Sequence, residues 1–116
     1  MKREARHRTS PRALAHAAPV FAALGDETRL ALVVRLGSVG PHSISQLAAE
    51  SHLTRQAITK HLLVLGAAGL VHSERRGREH IWNFKPDQLD EARDFLDEVS
   101  GKWDEALARL RKFVEK

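Results

Sequence analysis

Between Leu53 and Val71 the chain carries hydrogen-bonding side chains at a spacing that suits one face of a helix. Thr54 is a good N-cap, and Arg55, Gln56, Thr59 and Lys60 follow within two turns. These residue types can read base edges in a major groove. Arg pairs with guanine and Gln with adenine through two hydrogen bonds, Thr offers a hydroxyl and a methyl, and Lys reaches guanine or phosphate. A second cluster, Arg75, Arg76 and Arg78, surrounds Gly77. Guanidinium groups crowded at one tight turn repel each other unless an anion relieves them, and a phosphate backbone is such an anion; a solvated turn is the plain alternative. His61 lies between these chemistries. It is either a neutral imidazole held by a backbone partner or a further phosphate contact.

Any surface helix has a polar face, so the elements around these residues carry the argument. Ile58, Leu62 and Leu65 recur at spacings of four and three, which gives the helix a buried stripe opposite its polar face. Upstream, Ser43 to Glu50 reads as a short amphipathic helix capped by Ser43, with Ser51-His52-Leu53 as the turn after it. Downstream, Ala68-Gly69-Leu70-Val71 ends the helix on a glycine suited to a left-handed position. The pattern then switches to a period of two. Val71 to Arg75 and Glu79 to Phe84 read as strands of a hairpin around Arg76-Gly77, with His80, Trp82 and Phe84 on one face, Ile81 on the other, and Trp82 in the core. The expected fold is mainly α (α+β): a winged helix-turn-helix with a two-stranded wing and a long terminal helix.

Two helices should precede this unit. A short helix starts at Ala13, and Pro19 opens the next segment, Val20 to Leu24. Asp26 then caps a helix with Leu30, Val33, Val34 and Leu36 on its apolar face, ended by Gly37 and the Gly40-Pro41 loop. The last segment, Asp87 to Lys116, alternates spacings of three and four through Leu89, Ala92, Leu96, Val99, Trp103, Ala106, Leu110 and Phe113. That describes one helix of ~45 Å, longer than a small domain can cover, with Gly101 as a weak point. Pairing with a second copy about a two-fold axis buries such a stripe; folding back on its own domain is the alternative.

Two stretches also resemble a known family. Thr59-Lys60-His61-Leu62, Leu65 and Ala68-Gly69-Leu70-Val71 resemble the signature of the arsenic-repressor (ArsR/SmtB-type) winged-helix regulators, and Phe21-Ala22-Ala23-Leu24-Gly25-Asp26-Glu27-Thr28-Arg29 resembles that family's opening. The resemblance runs from about Pro19 to the C-terminus. It implies repression of transcription, and a first helix packed on the last at a dimer interface, which here would use Val20, Phe21 and Leu24. It does not bring the family's usual metal ligands. Gln46-Leu47-Ala48-Ala49-Glu50 stands where a cysteine pair would be, and no histidine follows His80.

Composition sets outer limits. At 116 residues the chain is one domain, read as a basic mobile arm over 1–12 and a winged-helix domain with N- and C-terminal dimerisation helices over 13–116. The arm is either a solvated tail or a strand laid along phosphates. Residues 1–86 hold thirteen Lys and Arg against six Asp and Glu, whereas 87–116 hold six against nine, so the body suits a polyanion and the last helix does not. With no cysteine, thiolate metal sites and disulfides are excluded. The absence of a targeting segment or an apolar run near ~20 residues favours the cytoplasm and no membrane.

The seven histidines lack ligand spacing, so no metal and no cofactor are expected, although His7 or His16 with carboxylates of the last helix is a conceivable site across a dimer. There is no nucleophile motif or phosphate loop, and no enzyme is expected. The reading is a homodimeric sequence-specific regulator, most simply a repressor released by an unknown signal, on double-stranded DNA with a pseudo-palindromic operator. A protein-interaction module using the long helix, or a metal sensor with His and carboxylate ligands, are the alternatives.

Overall fold

The computed structural model describes residues 10–115. Ser10 caps the first helix, α1 (Pro11–Leu24), by accepting a hydrogen bond from the Ala13 N–H at 3.2 Å, and Pro11 takes the first helical position, where a missing N–H does no harm. Two residues counted with the basic arm, Pro11 and Arg12, are therefore helical and a third, Ser10, is their cap; residues 1–9 of that arm lie outside the described residues. The break expected at Pro19 does not occur. α1 runs through it, because Ala17, Val20 and Ala23 share one buried face and their burial outweighs one lost backbone bond.

The Asp26-Glu27-Thr28-Arg29 run has a structural explanation. Asp26 caps α2 (Glu27–Val39) by accepting the Arg29 N–H at 3.0 Å. The Arg29 side chain turns back and donates from Nε to the Ala23 carbonyl at 2.7 Å and from Nη2 to that of Ala22 at 3.4 Å. One motif thus starts α2 and satisfies the carbonyls orphaned at the end of α1. α2 passes through Gly37 and stops at Gly40, whose φ of 113° favours glycine. Its buried face also differs from the expected one. Leu32, Val33 and Leu36 face the core, while Leu30 and Val34 are 48% and 58% exposed. The helix is apolar on more than one side, so periodicity alone could not choose the inner one.

His42–Ser43 forms a short strand, β1, that the sequence reading missed, and the wing sheet therefore has three strands in the order β1-β3-β2. Two residues are too few for an alternation signal. Ser43 also opens α3 (Ile44–Ala49) through a reciprocal capping box with Gln46. His42 is buried, with Nδ1 donating to the Gly40 carbonyl at 2.7 Å and Nε2 3.8 Å from Glu50, which also pairs with Arg35 of α2. The turn after α3 is thereby tied to α2 and to the sheet.

Thr54 caps α4 (Arg55–Ala67), and the helix ends as expected. Gly69 has a φ of 76°, its N–H bonds the Gly66 carbonyl at 3.0 Å, and the Leu70 N–H bonds that of Leu65 at 3.0 Å, the paired closure of a Schellman motif. The wing follows as β2 (Val71–Arg76) and β3 (Glu79–Phe84), paired from Val71↔Phe84 to Arg76↔Glu79. Gly77, with a φ of 63°, begins the two-residue turn. Finally α5 (Asp87–Glu115) runs unbroken through Gly101. The core gathers Leu36, Leu47, Ile58, Leu62, Leu65 and Trp82 between these layers. No helix of the described residues is long and apolar enough to cross a membrane.

Gly69 and Gly77 share a left-handed backbone but not a neighbourhood. A Cβ on Gly69 would come within 2.7 Å of Gln88 Cγ, whereas one on Gly77 would meet open space. Gly77→Ala is expected to lose ~1 kcal/mol from its backbone alone, and Gly69→Ala more. Urea unfolding of the two variants checks this; equal losses would show that Gln88 moves aside freely.

Candidate nucleic-acid interface

Burial of Ile58, Leu62 and Leu65 at 1% exposure or less turns the opposite face of α4 to solvent. Thr54, Arg55, Gln56 and Lys60 are exposed there, as expected, and the side chains of Arg55, Gln56 and Lys60 make no hydrogen bond or ion pair among the described residues. Thr59 is half-buried, and its hydroxyl donates to the Arg55 carbonyl at 2.7 Å, which leaves its methyl and its lone pairs for an outside partner. Leu63 was missed. It is 60% exposed and lies at i+7 from Gln56 and i+3 from Lys60, in the middle of the polar face. Its helical position, outside the stripe of Ile58, Leu62 and Leu65, is the signal that places it there.

His61 is set apart. It is half-buried, lies 140° around the helix from Gln56 at 100° per residue, and faces the start of α2 closely enough for Asp26 to feel its charge. The Asp26 carboxyl is held below its ordinary value of 3.8, chiefly by the Arg29 backbone N–H, with opposition from desolvation and further lowering by the Arg29 and His61 charges. His61 therefore does not share the exposed face of Arg55, Gln56 and Lys60.

The wing arginines are not equivalent either. Arg76 lies 3.8 Å from Glu74, and Arg75 donates from Nε to the Gly77 carbonyl at 3.3 Å, so part of the expected repulsion is relieved within the wing. Arg78 has no such partner among the described residues. It lines a cleft of about 120 Å³ together with Arg55 and the first residues of α3, which brings α4 and the wing tip to one place.

The candidate dimer residues divide in two. Val20 and Ala92 are 1% exposed within their own chain, so they cannot offer a surface to a partner, and Phe21, Leu24 and Leu89 are half-buried against the same core. Val99 is also half-buried. Leu96, Trp103, Ala106, Leu110 and Phe113 are exposed, Trp103 by 68% and Phe113 by 76%. The first turns of α5 pack on α1, and its second half has no cover among the described residues. Between α1 and α5 an apolar groove of about 300 Å³ holds His16, Glu91 and Asp94 among its lining residues, but no group of three or more potential metal ligands forms among the described residues. His7 lies outside them.

A helix-turn-helix with an attached wing and an exposed basic face defines the class: a winged helix-turn-helix DNA-binding regulator. Residues 26–73 match the family model of bacterial regulatory proteins of the arsR family. The chain is 33% identical over 93 residues to the HTH-type transcriptional regulator Rv2034 of Mycobacterium tuberculosis, covering 80% of this chain and 83% of that one. It is 37% identical over 76 residues to an uncharacterised HTH-type transcriptional regulator, YuzN, of Bacillus subtilis, covering 60% and 83%. Among solved structures, an ArsR-like transcriptional regulator from Rhodococcus sp. RHA1 superposes with a TM-score of 0.77 at 38% identity, covering 87% of this chain and 94% of that one. The chain belongs to the arsR family of transcriptional regulators.

The lowered Asp26 carboxyl gives a pH dependence with a defined sign. A depressed folded-state value adds stability that is present above the ordinary carboxylate value and is lost as pH falls through the folded one. Asp26→Asn keeps a capping oxygen without the charge. Wild type is expected to exceed this variant in urea midpoint at neutral pH, with the gap closing below the ordinary carboxylate range. A gap independent of pH would separate the cap from its charge.

Proposed function

We propose that the protein is a homodimeric repressor that sets α4 of each subunit into successive major grooves of a pseudo-palindromic operator. The observation that carries this reading is the exposed, unpartnered face of Arg55, Gln56, Lys60 and Leu63, held rigidly by the buried stripe behind it. Gln56, Thr59 and Leu63 would meet base edges, Leu63 through the 5-methyl of thymine, while Lys60 and the wing arginines reach phosphate. Thr54 serves as the cap that fixes the start of the helix. The exposed half of α5, with Leu96, Trp103, Ala106, Leu110 and Phe113, is the dimer surface in this reading, and the two-fold axis it creates matches the symmetry of the operator. Repression follows from blocking a promoter, in the compartment that holds the DNA, with no reaction to catalyse.

Selection of duplexes from a random pool tests the reading directly: a two-fold symmetric enriched motif is expected, and an unsymmetric one or none overturns it. On that motif, Gln56→Ala should weaken binding by ~1 to 3 kcal/mol while leaving random duplexes nearly unaffected. Replacing thymines by deoxyuridine removes only the methyl groups, so it should weaken wild type and not Leu63→Ala. Equal losses on specific and random DNA would move Gln56 off the bases.

The dimer has its own test. Trp103→Asp buries an unpaired charge in the seam, which is unfavourable by several kcal/mol, and should yield a monomer by light scattering at micromolar concentration. A wild-type protein that is monomeric there would favour another protein as the partner of α5.

A further inference from the structure

The cleft at the foot of the wing is formed by three elements that are far apart in sequence. Ser43, Ile44 and Ser45 from the start of α3, Arg55 from the first turn of α4, and Arg78, Glu79 and His80 from the wing surround about 120 Å³, the space of roughly four water molecules. Arg55 and Arg78 are both exposed, and neither guanidinium bonds to any described residue. Each carries five N–H donors and no acceptor, so the cleft is rich in donors and holds two fixed positive charges. One carboxylate, that of Glu79, lines it, and Glu79 pairs with neither arginine. The Ser43 hydroxyl already accepts the Gln46 N–H at 3.1 Å, whereas Ser45 is exposed and its hydroxyl has no partner among the described residues. Two like charges facing one small space are brought into balance by an anion between them.

We propose that this cleft seats one DNA backbone phosphate, gripped jointly by Arg55 and Arg78, with Ser45 as an added donor and Glu79 as a built-in counter-charge that weakens the grip. The inference rests on the DNA-binding reading above and adds to it. A single phosphate shared by the recognition helix and the wing locks the angle between them. Glu79, also on the wing, subtracts from non-specific affinity, so that the protein leaves random DNA more readily.

A shared phosphate has a signature that two separate ones lack. The slope of log affinity against log salt counts phosphates neutralised, at about 0.9 for each. Arg55→Ala and Arg78→Ala should each lower the slope by no more than about 1 per subunit, and the double variant by about 1 rather than about 2. Glu79→Gln should tighten binding to operator and random duplexes alike, by about two- to tenfold, and inorganic phosphate at matched ionic strength should compete no better than chloride. All these side chains are exposed, so the variants are expected to fold, which circular dichroism checks. A double variant that lowers the slope by about 2 per subunit places the arginines on different phosphates and overturns the proposal, as does an unchanged affinity for Glu79→Gln. Stronger competition by phosphate than by chloride would make the cleft a site for the free anion and overturn it equally. Gln56→Ala, which should keep the wild-type slope, is the control. A wild-type protein that binds no duplex at all would instead overturn the DNA-binding reading.

Discussion

The burial of one stripe of α4 is the constraint on which the rest of the structure depends. Ile58, Leu62 and Leu65 are removed from water almost completely, and they do so between Leu36 of α2, Leu47 of α3 and Trp82 of β3. Burying three such side chains is worth roughly 5 to 9 kcal/mol before entropy is charged, comparable with the whole net stability of a small domain. The helix therefore has one stable rotation about its axis. With that rotation fixed, Arg55, Gln56, Lys60 and Leu63 must point outward, and the exposed face follows from the core rather than from any interaction of its own.

The ends of the elements then fix where that face lies. Thr54 sets the first residue of α4, the Schellman closure at Gly69 sets the last, and the capping box of Ser43 and Gln46 sets the helix before it. β1 contributes more than its two residues suggest. It holds Ser43 in the sheet beside Ile81, so the helix-turn-helix and the wing share a covalent and hydrogen-bonded frame instead of being joined only through the chain after α4. His42 and Glu50 add a tie between that frame and the turn before α4. A cleft between α4 and the wing can keep a constant shape because both of its walls are anchored to the same sheet.

Much of this was legible in the residues. The caps at Asp26, Ser43 and Thr54, the glycine turn at Gly69, the stripe of α4 and the length of α5 each follow from local patterns that depend on few neighbours. What was not legible depended on tertiary packing. Pro19 reads as a helix start, and only the joint burial of Ala17, Val20 and Ala23 carries α1 through it. Leu30 and Val34 look like core residues, but α2 has apolar groups on two sides and the packed core takes in Leu32 instead. Val20 and Ala92 were assigned to a dimer surface, yet they are the points at which α1 and α5 seat in their own domain. β1 is too short to announce itself, and the cleft it helps to form joins residues more than thirty positions apart, a distance no motif spans.

Identical side chains on one hairpin can differ in their readiness to take an anion. Among the described residues, Arg75, Arg76 and Arg78 differ in what already occupies them: a backbone carbonyl, a carboxylate and nothing. An exposed ion pair such as Arg76 with Glu74 is worth at most ~1 kcal/mol, so a phosphate can displace the carboxylate, but the attraction gained is reduced by the pair that is broken. Arg78 gives up no partner and is the strongest of the three toward an incoming anion. The neutralising groups, Glu74 and Glu79, sit on the wing itself, where their charges move with the arginines they moderate. α4, by contrast, bears no carboxylate, so nothing on that helix offsets the charges of Arg55 and Lys60.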